Sequence, residues 1–339
     1  MMNRTVHLAQ HLFDTPERAA SRAGFGTGVV EAGKVDARIV VITADLSEST
    51  CADQFEKIFP ERFVQMGVAE QNMAAVAAGM ARWGKVPFIT SYATFNPGRN
   101  WEQIRTTVAI NDVPVVVCGM HAGLMTGPDG ATHQALEDIA LMRAIPRMTV
   151  ISPCDAIEAH KAVIAASGLG APVYLRFGRE KMPTMTTHDS PFEIGKASTW
   201  WKGEKPEVAI FATGPIMYHA LVAAHELSHE GVPVSLTNIH TIKPLDVLAV
   251  EHLAREAGSV VTVEDHQVAG GLGGAIAESL ARTCPTPIEF LGVQDRFGQS
   301  GTPEQLYEEY GLGVADIKKA VLRARLRRQV ATVRPWRLF

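Results

Sequence analysis

One carboxylic acid stands at the start of an expected helix whose other residues are mostly small and apolar. It is Glu70, in the segment GVAEQNM at residues 67–73, which directly follows an apolar run. A carboxylate in the first helical turn can be purely structural, because the positive end of the helix dipole stabilises it. The same acid can instead exchange a proton with a bound molecule, if burial raises its pKa more than the dipole lowers it.

Aromatic and polar motifs follow Glu70 in order, each at an expected strand end or helix start. They are SYATF at 91–95, RNWEQIR at 99–105, DGATHQ at 129–134 and ISPCD at 151–155. Tyr92, Phe95 and Trp101 supply rings that can stack on a flat ligand and fix its orientation. Simple core packing is the alternative explanation for these three aromatic residues.

Two histidines and an acid surround a glycine-rich loop at residues 122–130. His121 precedes this loop, while Asp129 and His133 lie at its end, and the whole segment follows an expected strand. Ligands collect at the carboxyl ends of strands in open α/β sheets, so we expect these three side chains to meet a substrate.

This ordered set of motifs resembles the pyrimidine-binding domain of transketolases and their thiamine-diphosphate relatives. The resemblance implies that Glu70 exchanges a proton with N1′ of the cofactor's aminopyrimidine. It also implies that Phe95, Trp101 and Tyr92 line the cofactor ring. The family commonly has another aromatic residue three positions after Phe95, where this chain has Gly98. The stacking residue is therefore left open between Phe95, Trp101 and a partner subunit.

The resemblance also assigns substrate contacts. In transketolases the sugar hydroxyls and the phosphate are contacted at the positions matching His121, Asp129 and His133. The acceptor phosphate is clamped at the positions matching Arg22, Ser49 and Arg176. Arginine suits this task because its charged fork binds phosphate through two hydrogen bonds. The match at Arg176 can shift onto Arg179, which leaves that assignment open between the two.

Length, composition and charge exclude several classes of protein. The chain has 339 residues, and single cores rarely exceed roughly 250–300, so we expect two domains. A hydrophobic content of 46% is that of an ordinary globular protein, and a net charge of −4 gives no reason to expect nucleic acid or a membrane as partner. Four cysteines without a C-x-x-C pair indicate reduced thiols. Neither a secretory signal nor a run of ~20 apolar residues is present, so we expect a cytoplasmic protein.

Strand-like and helix-like segments alternate along the chain, which predicts an α/β fold with parallel or mixed sheets. Strands are expected at 38–43, 86–89, 113–118, 148–151, 173–177, 208–212, 234–238, 260–264 and 288–291. Helices are expected at 18–32, 68–83, 100–108, 155–167, 216–230, 247–256, 273–283, 303–310 and 314–330. A linker at 181–205 would join a pyrimidine-binding domain at 17–185 to a transketolase C-terminal domain at 205–325.

Three features of the second half are interpreted as structural. The segment GGLGG at 270–274 lacks the spacing of a dinucleotide loop and predicts a turn with close helix–strand packing. The segment EDH at 264–266 has no second cluster to complete a metal site, so hydrogen bonding is expected. The terminal helix carries arginines that fit a solvated face with a cation-favouring C-terminus. These arginines are Arg323, Arg325, Arg327, Arg328, Arg334 and Arg337.

The diphosphate-binding motif of the family is absent from this chain. In the family, G-D-G followed downstream by Asn lies on a separate domain and holds Mg²⁺ and the diphosphate, since Mg²⁺ prefers oxygen ligands. The resemblance covers residues 17–325 and implies the smaller subunit of a split transketolase, with no metal ligands of its own. Thiamine diphosphate and Mg²⁺ would be held mainly by a partner subunit in an α2β2 assembly that acts on sugar phosphates.

Other functions stay open. The chain could be the β subunit of a 2-oxo acid dehydrogenase, half of a deoxyxylulose-phosphate synthase, or a non-catalytic scaffold subunit. The run DGATHQ at 129–134 argues against the dehydrogenase, and retention of Glu70 argues against the scaffold. The sequence does not name the sugar substrates.

Overall fold

The computed structural model describes residues 1–333, and the side chains of residues 1–328. Its strands are β1 Arg18–Ala19, β2 Ile39–Thr43, β3 Phe63–Gln65, β4 Val86–Tyr92, β5 Val116–Met120, β6 Thr149–Ile151, β7 Val173–Arg176, β8 Met182–Pro183, β9 Ser198–Lys202, β10 Val208–Thr213, β11 Val234–Asn238, β12 Thr241–Lys243, β13 Val260–Gln267 and β14 Ile288–Val293. Its helices are α1 Ser21–Val35, α2 Asp53–Ile58, α3 Glu70–Arg82, α4 Trp101–Gln103, α5 Asp138–Ala144, α6 Ala156–Ser167, α7 Met217–His229, α8 Val247–Ala257, α9 Leu272–Thr283, α10 Pro303–Glu309 and α11 Val314–Val333.

The first sheet has the strand order β12-β6-β7-β5-β4-β2-β3 within residues 1–333. Neighbouring strands are parallel, apart from β12, which comes from the second half of the chain and pairs antiparallel with β6. Every residue of β2 is buried, as its unbroken β-branched run IVVIT predicts for a strand covered on both faces. Parallel strands direct their carboxyl ends to one edge, so the following loops meet there.

Helices cover both faces of this sheet. Successive strand residues point to opposite faces, so Val41 packs with α1 and α6 whereas Ile42 packs with α3. Helix α6 begins and ends as predicted, because the Asp155 side chain accepts from the Glu158 amide and the helix stops at Gly168.

The second sheet has the order β14-β13-β10-β11-β9 in the described part of the chain. Its strands are parallel except β9, which pairs antiparallel with β11. The core on the α3 face of the first sheet continues into this unit, since it includes Phe211 and Ile276 beside Ala74 and Ala77. The expected α/β class with parallel and mixed sheets is confirmed.

The segment predicted as a linker, residues 181–205, contains ordered structure. This segment contains β8 and β9, and each pairs with a distant strand. The Lys161 ammonium group also donates to the carbonyl oxygen of Thr187 at 2.8 Å. Long-range pairing, which composition does not reveal, therefore gives this segment a fixed path.

The terminal arginines take structural roles. Arg323 and Arg327 pair with Glu289 at 3.1 and 2.8 Å, and Arg325 pairs with Glu207. Arg334 and Arg337 lie outside the described residues.

Among the helices of residues 1–333, none is both long enough and apolar enough to span a bilayer.

Candidate functional site

Most of the predicted site residues lie at one edge of the first sheet, after the carboxyl ends of its parallel strands. Ser49 follows β2, Glu70 follows β3, and Phe95 follows β4, which ends at Tyr92. His121, Asp129 and His133 follow β5 in the same way. Ser49 and His133, 84 positions apart in the chain, are thus brought to the same edge by the shared direction of the strands.

Glu70 is buried in the first turn of α3, with a relative exposure of 2%. The α3 residues behind it are small and buried, including Ala74, Ala77 and Ala78. Its carboxylate Oε2 accepts a hydrogen bond from Nη1 of Arg99 at 3.2 Å. A buried acid is therefore placed at the sheet edge with a single half-exposed cation on it.

Aromatic rings and histidines form a cluster at the same edge. The rings of Tyr92 and Phe95 are nearly parallel, at 11°, with centroids 6.3 Å apart. The His121 ring lies 4.1 Å from Tyr92, and the His133 ring meets Phe95 edge-on at 5.5 Å. The residues predicted to bind a cofactor ring and those predicted to bind a substrate are thus in direct contact.

Trp101 is partly buried and packs against the core. Its indole N–H donates to the carbonyl oxygen of Leu141 at 2.9 Å, and its ring packs against the hydrophobic core between the two units. Of the three predicted aromatic residues, the structure joins Tyr92 and Phe95 as the stacked pair and gives Trp101 a packing role, because α5 holds its ring.

Arg22 and His121 both bind the loop that follows β2. The carbonyl oxygen of Ser49 accepts from Arg22 Nη1 at 2.6 Å and lies 3.1 Å from His121 Nε2. Since that oxygen can only accept, we assign the ring proton to Nε2, which leaves Nδ1 as an acceptor. Nδ1 is buried and has no partner. Burial, followed by the charges of Arg22 and Arg179, lowers the pKa of His121 to about 3, so the ring is neutral.

Arg176 ends β7, and its side chain is enclosed by protein groups. It is only 4% exposed, and its Nε donates to Asp138 Oδ2 at 2.8 Å while Nη2 donates to the carbonyl oxygen of Asp265 at 2.8 Å. Burial opposes ionisation of Asp138, yet the Arg176 charge brings the pKa of that carboxyl below its ordinary value. Arg176 is therefore the cation of a buried ion pair.

Arg179 is the accessible arginine after β7. It is partly exposed, and its Nη1 donates to Asp129 Oδ1 and to the carbonyl oxygen of Thr126, both at 2.9 Å. It joins the glycine-rich loop at Asp129, one of the predicted substrate residues. His133 lies nearby in the chain, with Nδ1 2.9 Å from the Thr132 hydroxyl.

The glycine-rich loop is held from the second unit. Both oxygens of Asp265 accept from loop amides, from Leu124 at 2.9 Å and Met125 at 3.3 Å. The hydroxyl of Tyr307 donates to the same carboxylate at 3.1 Å. Gly123 has φ +79°, and a Cβ there would come within 2.3 Å of Asp265 Oδ2. Only glycine fits this turn, which holds the glycine-rich loop against Asp265 of the second sheet.

Hydrogen bonding by Glu264 and Asp265 confirms the structural interpretation of residues 264–266. Glu264 accepts from the amides of Leu272 at 2.6 Å and Gly273 at 2.8 Å. The close packing predicted for residues 270–274 is also confirmed, because a Cβ on Gly271 would lie 1.9 Å from Glu264 Oε2. Within the described residues, no group of three or more His, Cys, Asp or Glu side chains could hold a metal ion.

Three site residues escaped the sequence interpretation. Asn96 is fully buried and donates to the carbonyl oxygens of Ile89 and Cys118, both at 3.1 Å, which joins β4 to β5. Asn100 donates to the Glu70 carbonyl oxygen at 3.1 Å and so fixes the start of α3. The Arg99 guanidinium carbon lies 4.9 Å from the Phe95 ring centre. The i, i+4 spacing of both pairs, Asn96–Asn100 and Phe95–Arg99, was the available signal.

Several buried polar atoms at this edge have no partner in the chain. They are the side-chain oxygens of Thr90, Ser91, Thr94 and Asn100, together with His121 Nδ1. Buried polar groups in folded proteins are nearly always hydrogen-bonded, so these atoms are available to bind a ligand or water.

Two family models match the chain. The model "Transketolase, pyrimidine binding domain" matches residues 17–185, and the model "Transketolase, C-terminal domain" matches residues 199–317.

Similar proteins cover nearly the whole chain. A Methanocaldococcus jannaschii protein described as a transketolase C-terminal section is 41% identical over 304 residues, which cover 89% of this chain and 95% of the relative. A 6-deoxy-6-sulfo-D-fructose transketolase subunit from a Clostridium species is 38% identical over 292 residues, 86% of this chain and 90% of the relative. The solved structure of a split gene transketolase, an inactive beta4 tetramer, is 42% identical with a TM-score of 0.84, covering 91% of this chain and 98% of that one.

Proposed function

Because this chain belongs to the transketolase family, we propose that it is the pyrimidine-binding subunit of a split, thiamine-diphosphate-dependent transketolase. The assembled enzyme would transfer a two-carbon ketol unit from a ketose phosphate to an aldose phosphate. The observation that carries this proposal is the buried Glu70 carboxylate, linked through Arg99 to the stacked Tyr92 and Phe95 rings.

The residues present fit the aminopyrimidine of thiamine diphosphate. A flat ring needs aromatic faces, and Tyr92 and Phe95 supply them; its N1′ needs an acid, and Glu70 is the buried one. The partnerless oxygens of Ser91 and Thr94 lie beside the same strand end. When bound, the cofactor supplies a nucleophilic thiazolium carbon that cleaves the bond next to a ketone. Glu70 holds and exchanges the proton at N1′, and its burial keeps water away from that exchange.

His121 binds a sugar hydroxyl as a neutral acceptor in this proposal. Its Nδ1 is buried and partnerless, and its pKa of about 3 keeps the ring uncharged at any physiological pH. The unprotonated nitrogen of a neutral imidazole accepts a hydrogen bond from a hydroxyl group, and the proton stays on the hydroxyl oxygen. Asp129 and His133 continue the same surface along the glycine-rich loop.

Arg22 and Arg179 bind the acceptor phosphate. Ser49 lies in the loop after β2, where its carbonyl oxygen accepts from Arg22. Both arginines lie close enough to His121 to lower its pKa, so a substrate held there faces two positive charges. Arg179 takes the role first expected for Arg176, since it is partly exposed whereas Arg176 is enclosed with Asp138. Two guanidinium forks near the same histidine suit a terminal anion on the sugar.

A partner subunit completes the site. The diphosphate and Mg²⁺ need carboxylate and amide oxygens, which we assign to a separate chain carrying G-D-G and Asn. Val68 and Trp83, at the two ends of α3, are 71% and 90% exposed, and apolar side chains so exposed favour an interface. The similar chain described as split gene transketolase forms an inactive beta4 tetramer, which supports dependence on a partner in an α2β2 assembly.

Titration calorimetry on the purified chain tests this proposal. We expect weak or no binding of thiamine diphosphate, with or without Mg²⁺, until the G-D-G-bearing subunit is added. The reconstituted pair should then bind the cofactor tightly, and only with Mg²⁺. Tight Mg²⁺-dependent binding by this chain alone would refute the split-enzyme assignment.

A further inference from the structure

The side chain of Arg99 lies between the two groups that a cofactor ring would need. Its Nη1 donates to Glu70 Oε2 at 3.2 Å, and its guanidinium carbon lies 4.9 Å from the Phe95 ring centre. Glu70 is buried, whereas the Arg99 side chain is 50% exposed. One end of this ion pair is therefore fixed in the protein, and the other end is open to solvent.

A guanidinium group and an aminopyrimidine place similar demands on a protein. Both are planar, both form an edge-on hydrogen bond with a carboxyl group, and both stack a face on an aromatic ring. We propose that Arg99 occupies the aminopyrimidine position in the cofactor-free chain and must be displaced when thiamine diphosphate binds. This inference rests on the proposed function, because it takes Glu70 and Phe95 as the groups that hold the cofactor.

The cofactor-free chain needs such an occupant. An ionised carboxylate that is buried without a partner is strongly destabilising, and Arg99 provides the charge that Glu70 otherwise lacks. The neighbouring Asn100 amide donates to the Glu70 backbone carbonyl and leaves the carboxylate to Arg99. Arg99 thus stabilises the chain when no cofactor is bound.

Displacement is physically accessible. Half of the Arg99 side chain is already in water, so its charge regains hydration when it swings outward. The surrounding anchors stay in place, because Asn96 and Asn100 are fully buried and bonded to each other at 3.0 Å. Only one flexible side chain has to move, and the contacts that it gives up are subtracted from cofactor affinity.

The test compares Arg99→Met, Arg99→Lys and the control Arg105→Met. Arg105 is an exposed arginine six positions further along the same segment. Each full-length variant is reconstituted with the G-D-G-bearing subunit, and its thiamine diphosphate Kd is measured by calorimetry. The thermal midpoint of each cofactor-free chain is measured separately, which reports on Glu70 without using enzyme activity.

We expect Arg99→Met to lower the thermal midpoint of the cofactor-free chain and to tighten cofactor binding about three- to tenfold. Arg99→Lys should keep most of the midpoint, because the charge remains, yet still tighten binding, because the planar stack on Phe95 is lost. If Arg99→Met does not fold, the thiamine diphosphate Kd of Arg99→Lys alone tests the inference. Arg105→Met should change neither quantity.

Two results would overturn the inference. Weaker binding by the Arg99 variants would make Arg99 a cofactor ligand, and an unchanged Kd would show that nothing is displaced. In both cases the wild-type complex still binds thiamine diphosphate, so the proposed function stands. If the wild-type complex binds no thiamine diphosphate, the proposed function and this inference fail together.

Discussion

Burial determines what each polar side chain at the site can do. His121 is enclosed without a counter-charge, so burial and its arginine neighbours keep it neutral and available as an acceptor. Arg176 is enclosed with Asp138 and remains an ion pair that serves the fold. Of the arginines that contact the loops around His121, Arg22 and Arg179 combine charge with partial exposure, so we assign them to a substrate anion.

Glu70→Gln tests the proton exchange directly. The substitution keeps size and burial but removes the exchangeable proton, so turnover of the reconstituted enzyme should fall by orders of magnitude while the fold is preserved. Glu102→Gln, an exposed position on α4, is the matched control and should leave turnover unchanged. Near-normal rates in the Glu70 variant would remove the assignment of this residue and the mechanism with it.

Arg179→Gln tests the phosphate site. Loss of one charged hydrogen-bond partner costs roughly 1.5–3 kcal/mol, so kcat/KM for phosphorylated acceptors should fall about ten- to a hundredfold. Unphosphorylated aldehydes should be little affected. Arg147→Gln, which removes an exposed ion pair with Asp112, serves as the control. An equal loss for both kinds of acceptor would contradict the phosphate role.

At the scale of elements, the site is a set of loops that other elements hold in place. The loop after β5 takes its shape from Asp265 at the end of β13, which accepts two of its amides. The start of α3 is fixed by Asn100, which follows β4. Site geometry therefore depends on contacts between elements that are far apart in the chain.

Gly123→Ala tests whether the contact between Asp265 and the glycine-rich loop shapes the proposed substrate site. Alanine would sit at φ +79° with its Cβ 2.3 Å from the Asp265 carboxylate, so it should destabilise the chain and raise KM for the sugar. The control is Gly170→Ala, at φ +71° with no atom within 4 Å of the added Cβ. It should cost stability alone. A KM unchanged by Gly123→Ala would show that Asp265 does not shape the substrate site.

At the scale of the whole molecule, the two units share structure. The second half contributes β12 to the first sheet, and Arg143 of α5 donates to the Gly270 carbonyl oxygen at 2.6 Å. Asn238 of β11 donates to the buried Glu158 of α6 at 2.8 Å. Buried histidines and acids line this junction, so protonation there affects the stability of the whole chain.

His266 at this junction should make the chain sensitive to acid. Burial lowers its pKa from 6.5 to about 4, so its contribution to stability is present above pH 6.5 and is lost as the pH falls toward 4. The loss is about 1.4 kcal/mol per pH unit in that window. Urea unfolding at pH 7 and pH 5 measures it, and His266→Asn should lose less stability between the two than the wild type.

Two comparisons make this test specific. Burial raises the pKa of nearby Glu264 to about 8, so that acid loses its contribution as pH rises, which opposes the histidine effect. Because Glu264 Oε2 lies only 3.8 Å from His266 Nδ1, the same comparison is repeated in a Glu264→Gln background, which removes the opposing titration. The exposed His188, changed to Asn, should follow the wild type. Parallel pH profiles for wild type and His266→Asn would show that His266 does not carry the effect.

Much of the fold and of the site could be predicted from sequence, because these features depend on local patterns. The buried run of β2, the cap of α6 at Asp155 and the acid opening α3 are set by neighbouring residues. The motifs after β4 and β5 could be assigned to one sheet edge, since parallel strands place their carboxyl ends together. The predictions at Tyr92, Phe95 and His121 lie in one cluster for this reason.

Only the tertiary structure decided which charged groups are enclosed and which strands pair across the chain. Arg176 and Arg179 are three residues apart and alike in sequence, yet Asp138 enclosed the first and left the second at the site. The strands within 181–205, and β12 in the first sheet, follow from partners far away. Burial and long-range pairing depend on the positions of residues that are distant in the chain, and a local sequence pattern does not determine those positions.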